Sequence, residues 1–150
     1  KYGPVVVGVD GSGVSQKAIE YAFAEASARE CELIAVHTWM DMQIQASLAG
    51  LSAAQQQWKI VEEEQNMLLG HRLAGYAERY PDVQVTRVVT RDRPVRALVD
   101  AAKGAQLLVV GSHGRGGFKG MLLGSTSRAL LQSAPCPMMV VRPDSDAKAH

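Results

Sequence analysis

Glycines and residues with hydroxyl side chains are concentrated between positions 111 and 127 of the sequence. The segment contains the pattern G-x2-G-x9-G-S, which is formed by Gly111, Gly114, Gly124 and Ser125. An apolar run at 107–110 precedes it, and an apolar-periodic run begins at Ala129. Glycines let backbone N–H groups approach phosphate oxygens, and a helix N-terminus adds unpaired donors and partial positive charge. The segment therefore predicts a phosphate-binding loop between a strand and a helix.

The spacing differs from that of two common phosphate-binding motifs. No Gly-Lys-Ser or Gly-Lys-Thr occurs, which excludes a Walker A loop, and the dinucleotide fingerprint belongs on the first strand of its domain. A second candidate for ligand chemistry is Asp10, which ends the first apolar run and precedes Gly11 and Ser12. Its carboxylate is suited to accept hydrogen bonds from ribose hydroxyls. The alternative is an Asx-turn with the backbone of Gly11 or Ser12.

Strand and helix patterns alternate along the chain. The predicted strands lie at 5–10, 33–39, 83–89, 107–110 and 138–141, and the predicted helices at 15–30, 52–80, 94–103 and from 125 onwards. This alternation predicts an α/β fold with a doubly wound, five-stranded parallel sheet of flavodoxin-like order 3-2-1-4-5, covered by helices on both faces. In that order a crevice opens at the carboxyl ends of strands one and four, where Asp10 and Gly111 would meet.

Length and composition restrict the class of protein. The 150 residues suit a single domain at 1–150, with a core at about 5–143 and a polar tail at 144–150. A net charge of +1 and an aromatic content of 5% argue against nucleic-acid binding. No apolar run approaches the length of a membrane span, so we expect no membrane partner. The two cysteines lack CxxC spacing and the four histidines lack metal-ligand spacing, so we expect reduced thiols in the cytoplasm and no zinc.

The G-x2-G-x9-G-S pattern, together with Val7-Gly8-Val9-Asp10-Gly11-Ser12, resembles the ATP-binding branch of the universal stress protein family from position 5 to position 143. The resemblance implies an ATP-binding stress-response regulatory module, with Asp10 near the ribose and backbone groups near Val36 at the adenine. Tandem domains are common in that family, and a chain that opens at Lys1 fits one domain of a tandem protein. Family members also commonly dimerise across their last strand, here Met138 to Val141. That strand is expected to be an apolar sheet edge, which agrees with a homodimer.

We expect ATP, with Mg²⁺ carried by its phosphates and Asp10 or Ser125 as candidate metal ligands. The predicted binding residues are Gly8, Val9, Asp10, Val36, Gly111, Ser112, Gly114, Arg115, Gly116, Gly117, Gly124, Ser125 and Thr126. We predict no catalytic residues and at most slow hydrolysis, because neither a nucleophile elbow nor an activated cysteine is evident. The alternatives are a receptor for AMP or cyclic AMP and a slow ATPase on the same scaffold.

Overall fold

The computed structural model describes residues 3–9, 13–38, 51–90, 94–112 and 125–142, which form five strands and four helices. The strands are β1 (Val5–Val9), β2 (Leu33–Thr38), β3 (Val85–Thr90), β4 (Leu107–Gly111) and β5 (Met138–Val141). The helices are α1 (Gly13–Arg29), α2 (Leu51–Arg79), α3 (Pro94–Ala102) and α4 (Ser125–Ser133).

All five strands belong to one parallel sheet with the order β3-β2-β1-β4-β5. The predicted fold and strand order are therefore confirmed. The order places β1 at the centre, with β2 and β4 as its neighbours and β3 and β5 as the two edges. Parallel strands with crossover helices are buried on both faces, which agrees with the apolar runs in β1 and β4.

Two hydrophobic cores lie on opposite faces of the sheet. Alternate residues of β1 point to opposite faces, so Val5, Val7 and Val9 contribute to one core and Val6 to the other. The first core is completed by α1 and α2, and the second by α3 and α4. The inner stripe of α1 is fully buried and consists of Ala18, Ile19, Ala22, Phe23 and Ala26. Burial of these residues holds α1 against the face of the sheet to which Val5, Val7 and Val9 point.

The helix boundaries differ from the predictions by a few residues. Helix α1 begins at Gly13, so Ser15 lies inside it instead of capping it. Helix α2 continues through Gly70 and Gly75, the glycines expected to weaken it. Its buried residues on the sheet include Leu69, whereas the adjacent Leu68 is 48% exposed. The contacts of the helix with the sheet outweigh the low helix propensity of its two glycines.

The C-terminus of α1 has the hydrogen bonds of a Schellman motif. The amide of Cys31 donates to the carbonyl of Ala26, and the amide of Glu30 donates to that of Ser27. Glu30 has a φ of 54°, a left-handed conformation that glycine usually occupies at this position. The motif reverses the chain and directs it into β2.

Candidate functional site

The carboxyl ends of β1 and β4 lie side by side in the middle of the sheet. Their register pairs Val5 with Leu107 and Val7 with Val109. The same register, continued by two residues, brings Val9 level with Gly111. The chain order reverses direction between these two strands, because β1 continues to β2 on one side while β4 continues to β5 on the other. Ligands of open α/β sheets bind in the crevice at such a point.

A buried hydroxyl joins the end of β4 to the first turn of α4. The Oγ of Ser127 donates to the carbonyl oxygen of Gly111 at 2.5 Å and lies 3.4 Å from the carbonyl oxygen of Ser112. Ser127 is 3% exposed and Ser112 is completely buried. The amide of Ser112 donates to the carbonyl of Val141 on β5 at 2.7 Å, which continues the ladder of the sheet past β4. The Ser112 amide is therefore engaged within the sheet.

The amino end of α4 lies beside this junction. The helix begins at Ser125, as the sequence predicted for the helix after the glycine-rich segment. Thr126 is partly exposed, whereas Ser127 points into the protein. The first backbone N–H groups of a helix have no partner within the helix, and they carry partial positive charge. An anion in the crevice would thus lie near a favourable electrostatic group.

A second buried side chain holds the end of β1. The Nδ1 of His37 lies 2.7 Å from the carbonyl oxygen of Val9, and its Nε2 lies 2.6 Å from Oε1 of Gln65 on α2. A carbonyl only accepts, so Nδ1 carries a hydrogen and donates it. His37 is 8% exposed. The ring thus connects the last residue of β1, through β2, to α2.

Gly8 and Val36 are paired on neighbouring strands next to this end of the sheet. A Cβ on Gly8 would lie 3.1 Å from Cδ1 of Leu98 and 3.4 Å from Cγ1 of Val110. The absence of a side chain at Gly8 therefore lets α3 approach β1 closely. Val36 is 2% exposed and packs in the core with Leu98. The side chain of Val36 therefore serves packing.

Several predicted ligand residues lie outside the described part of the chain. They are Asp10, Gly114, Arg115, Gly116, Gly117 and Gly124. Ser125 is described only as the first residue of α4. Among the side chains that the structure describes, no group of three or more His, Cys, Asp or Glu residues is placed to hold a metal ion. No described helix is long and apolar enough to cross a membrane.

The roles of Ser127 and His37 were not predicted from the sequence. Ser127 is one of three consecutive hydroxyl residues at the predicted helix N-terminus, and the sequence indicates no particular partner for His37. A signal for Ser127 was available, because Ser127, Leu130 and Ala134 have the i, i+3, i+7 spacing of one helix face. That face is turned towards the sheet, and Leu130 is completely buried on it. For His37 the sequence contained no comparable signal, since its partner Gln65 is distant in the chain.

The chain is similar in sequence to universal stress proteins. The sequence model of the universal stress protein family matches residues 1–142. Universal stress protein Rv2005c of Mycobacterium tuberculosis is 53% identical over 142 residues, which are 95% of this chain and 46% of that protein. A universal stress protein of Mycolicibacterium smegmatis is 51% identical over 140 residues, or 93% of this chain and 46% of the relative. The chain thus spans about half the length of the curated relatives it matches.

Solved structures share the fold at lower sequence identity. Hypothetical protein MJ0577 superposes with a TM-score of 0.78 at 20% identity, and the match covers 95% of this chain and 97% of that one. A universal stress protein solved in complex with cAMP has a TM-score of 0.62 at 26% identity, with coverage of 94% and 97%. A universal stress protein from Archaeoglobus fulgidus, solved in complex with dAMP, has a TM-score of 0.59 at 20% identity, with coverage of 93% and 98%.

Proposed function

The chain belongs to the universal stress protein family, and from this membership we propose that it binds ATP in the crevice between the ends of β1 and β4 and acts as a regulatory module. The observation that most supports the proposal is the pairing of β1 with β4 at the reversal of strand order, where Gly111 at the end of β4 is bonded to Ser127 in the first turn of α4. Two structural neighbours were solved with adenine nucleotides, cAMP in one and dAMP in the other.

The glycine-rich sequence favours a nucleotide with more than one phosphate. Gly114, Gly124, Ser125 and Thr126 offer more donors than a monophosphate requires. The partial positive charge at the start of α4 fits an anionic group. We propose that Mg²⁺ arrives with the phosphates, which supply most of its oxygen ligands. Asp10 and Ser125 are the candidate protein ligands of that ion.

Residues from both sides of the crevice would hold the nucleotide. Asp10 directly follows Val9, so its carboxylate is proposed to accept from the ribose hydroxyls. The backbone near Val36 is proposed to contact adenine, and Gly111 to lie near the ribose. In our proposal Arg115 adds a charge-assisted contact to phosphate oxygens, and Gly116 and Gly117 allow the backbone to approach them. Release of the nucleotide then changes the surface offered to partner proteins, with at most slow hydrolysis.

Nucleotide extraction tests the proposal directly. The purified protein is denatured, and the nucleotides released into the supernatant are separated by ion-pair chromatography. A fresh sample of folded protein is then titrated with ATP, AMP, cyclic AMP and adenosine by calorimetry. We expect recovered ATP or tightest binding of ATP. Recovery of cyclic AMP with preference for it would replace ATP by the rival ligand. Steady phosphate release above roughly one per second, the low end of ordinary turnover, would favour an ATPase instead.

Gly114→Val provides a test of the glycine-rich segment, because a branched side chain would keep the backbone from the phosphates. We expect ATP binding to be lost while the circular dichroism spectrum is unchanged. Gly75→Val is the matched control, since a Cβ at Gly75 meets nothing within 4 Å. Unchanged ATP affinity in Gly114→Val would show that the phosphates bind elsewhere.

We further propose that the protein is cytoplasmic, in line with its two free thiols.

We also propose a homodimer formed through β5. The amide of Leu108 donates to the carbonyl of Pro137, and the amide of Ser112 donates to the carbonyl of Val141. Backbone groups of successive residues in a strand point to opposite sides, so those of Met138 and Val140 point to the free edge of the sheet. Strand β5 contains no charged residue, whereas the other edge, β3, contains the exposed Arg87. An edge without charges is prone to pair with another strand.

Light scattering on the wild-type chain and on Val140→Pro tests the dimer. Proline removes the outward-facing N–H of residue 140 while leaving the bonds of β5 to β4, so it is compatible with an edge strand. We expect a dimer for the wild type and a monomer for Val140→Pro, with unchanged secondary structure in both. A monomeric wild type would refute the proposed assembly.

A further inference from the structure

Ser127 differs from its neighbouring hydroxyl residues in what it contacts. Its hydroxyl donates to the Gly111 carbonyl, the last carbonyl of β4, and its side chain is almost completely buried. A hydroxyl has one hydrogen to donate, and here it is given to the protein. The Ser127 hydroxyl is therefore not a donor to a ligand in this arrangement, although Ser127 lies in the first turn of α4.

The bond fixes the place from which the glycine-rich segment leaves the sheet. Gly111 is held by Ser127 from α4, and the next residue, Ser112, is held by Val141 from β5. Two consecutive residues at the end of a central strand thus have partners on two different elements. Ser127, Ser112 and Val141 are buried and Gly111 is half-buried, so removal of the Ser127 hydroxyl would leave the Gly111 carbonyl without this partner at a site with little access to water.

We propose that Ser127 is a positioning residue for phosphate binding: its hydroxyl holds the end of β4 against α4 and so sets the distance between Gly111 and the first amides of that helix. This inference rests on the proposed nucleotide function and adds a role for a hydroxyl that does not donate to the nucleotide. Since phosphate binding depends on the geometry of converging backbone donors, displacement of Gly111 relative to α4 weakens it. The adenosine part of the ligand, which involves β1 and β2, is affected less.

Three variants separate positioning from general stability. Ser127→Ala removes the hydroxyl, and Ser127→Thr keeps it. Ser133→Ala is the matched control, because Ser133 lies on the same helix and its hydroxyl donates at 2.9 Å to a backbone carbonyl, that of Ala129, but at an exposed site at the other end. Affinities for ATP and for adenosine are measured by calorimetry, and hydrogen exchange at the Ser112 amide is followed by NMR without nucleotide.

We expect Ser127→Ala to bind ATP about tenfold more weakly, the equivalent of one lost hydrogen bond of about 1.4 kcal/mol, with adenosine affinity changed much less. Ser112 exchange should become faster in this variant only. Ser127→Thr and Ser133→Ala should keep both affinities within about twofold of wild type.

The proposal is overturned if Ser127→Ala keeps its affinity for ATP, if it loses ATP and adenosine equally, or if Ser133→Ala shows the same loss. If Ser127→Thr does not fold, the comparison of ATP with adenosine in Ser127→Ala and the exchange rate of Ser112 still decide. A wild-type chain that binds no adenine nucleotide would refute the proposed function itself, and the role of Ser127 with it. Normal wild-type binding with an insensitive Ser127→Ala would refute only the role of Ser127.

Discussion

Replacement of His37 by alanine should destabilise the protein without unfolding it. The imidazole ring is buried and bonds to the Val9 carbonyl at 2.7 Å and to Gln65 at 2.6 Å. A buried group that loses its partner costs about 1–3 kcal/mol. Alanine removes both bonds, so we expect the free energy of unfolding to fall by about 3 kcal/mol. For a domain of this size, this loss corresponds to a decrease in Tm of about 6–12 °C.

His37→Asn separates the two bonds, because the asparagine amide can donate from nearly the same position as Nδ1. We expect this variant to recover about half of the lost stability, since the Val9 carbonyl again has a donor while Gln65 stays without its ring partner. His71→Ala is the control, because His71 is an exposed histidine on α2 and its loss should change stability by less than about 0.5 kcal/mol.

Urea denaturation followed by circular dichroism measures all three variants, and ¹⁵N chemical shifts of the His37 ring report whether Nδ1 carries a hydrogen. The reasoning would be refuted by a His37→Ala variant as stable as His71→Ala. It would also be refuted by a wild-type ring whose Nδ1 carries no hydrogen, since such a ring cannot donate to the Val9 carbonyl.

Three further predictions concern stability away from the crevice. Gly75→Ala should stabilise the protein by about 1 kcal/mol in urea denaturation, because Gly75 lies inside α2 and a Cβ there meets nothing; a destabilised variant would contradict this. Glu30→Gly should raise the free energy of unfolding by up to about 1 kcal/mol, because glycine adopts the left-handed conformation of residue 30 without strain; a lower Tm would show that Glu30 makes compensating contacts. Burial raises the pKa of the Cys136 thiol above its ordinary value of 9.0, so the folded protein binds the proton more tightly than the unfolded chain. Stability from this source is present below pH 9.0 and falls as the pH rises through the folded pKa, and Cys136→Ser should therefore lose less stability than wild type between neutral and alkaline pH.

The sequence was sufficient to predict the sheet because short apolar runs alternate with longer helical patterns along the chain. Alternation of apolar strands with helical stripes leads to a parallel sheet, and the connection rules then restrict the strand order. The same connection rules predict that the segments following Val9 and Gly111 meet at the carboxyl ends of the strands. These predictions depend on patterns that extend over whole elements, and such patterns tolerate an error of one or two residues at each end.

Single side-chain directions were less predictable. Leu68 and Leu69 are adjacent apolar residues, and only the rotation of α2 on the sheet determines which of them is buried. Ser125, Thr126 and Ser127 have similar chemistry, but the position of Ser127 on the face that contacts β4 gives its hydroxyl a backbone partner. The contact of His37 with Gln65 depends on the packing of α2 across β2. Hydrogen bonds between distant elements of this kind have no local sequence pattern.

Because β1 is the central strand, it contacts the helix layers on both faces of the sheet. Successive residues of β1 contact the α1–α2 layer and the α3–α4 layer in turn, so detachment of either layer would remove one wall from a ligand at its carboxyl end. A ligand that binds only the intact form would therefore restrain both layers at once, by a free energy that grows with its concentration. Amide protons of α1 and α3, on opposite sides of the sheet, would then become protected in parallel as nucleotide is added.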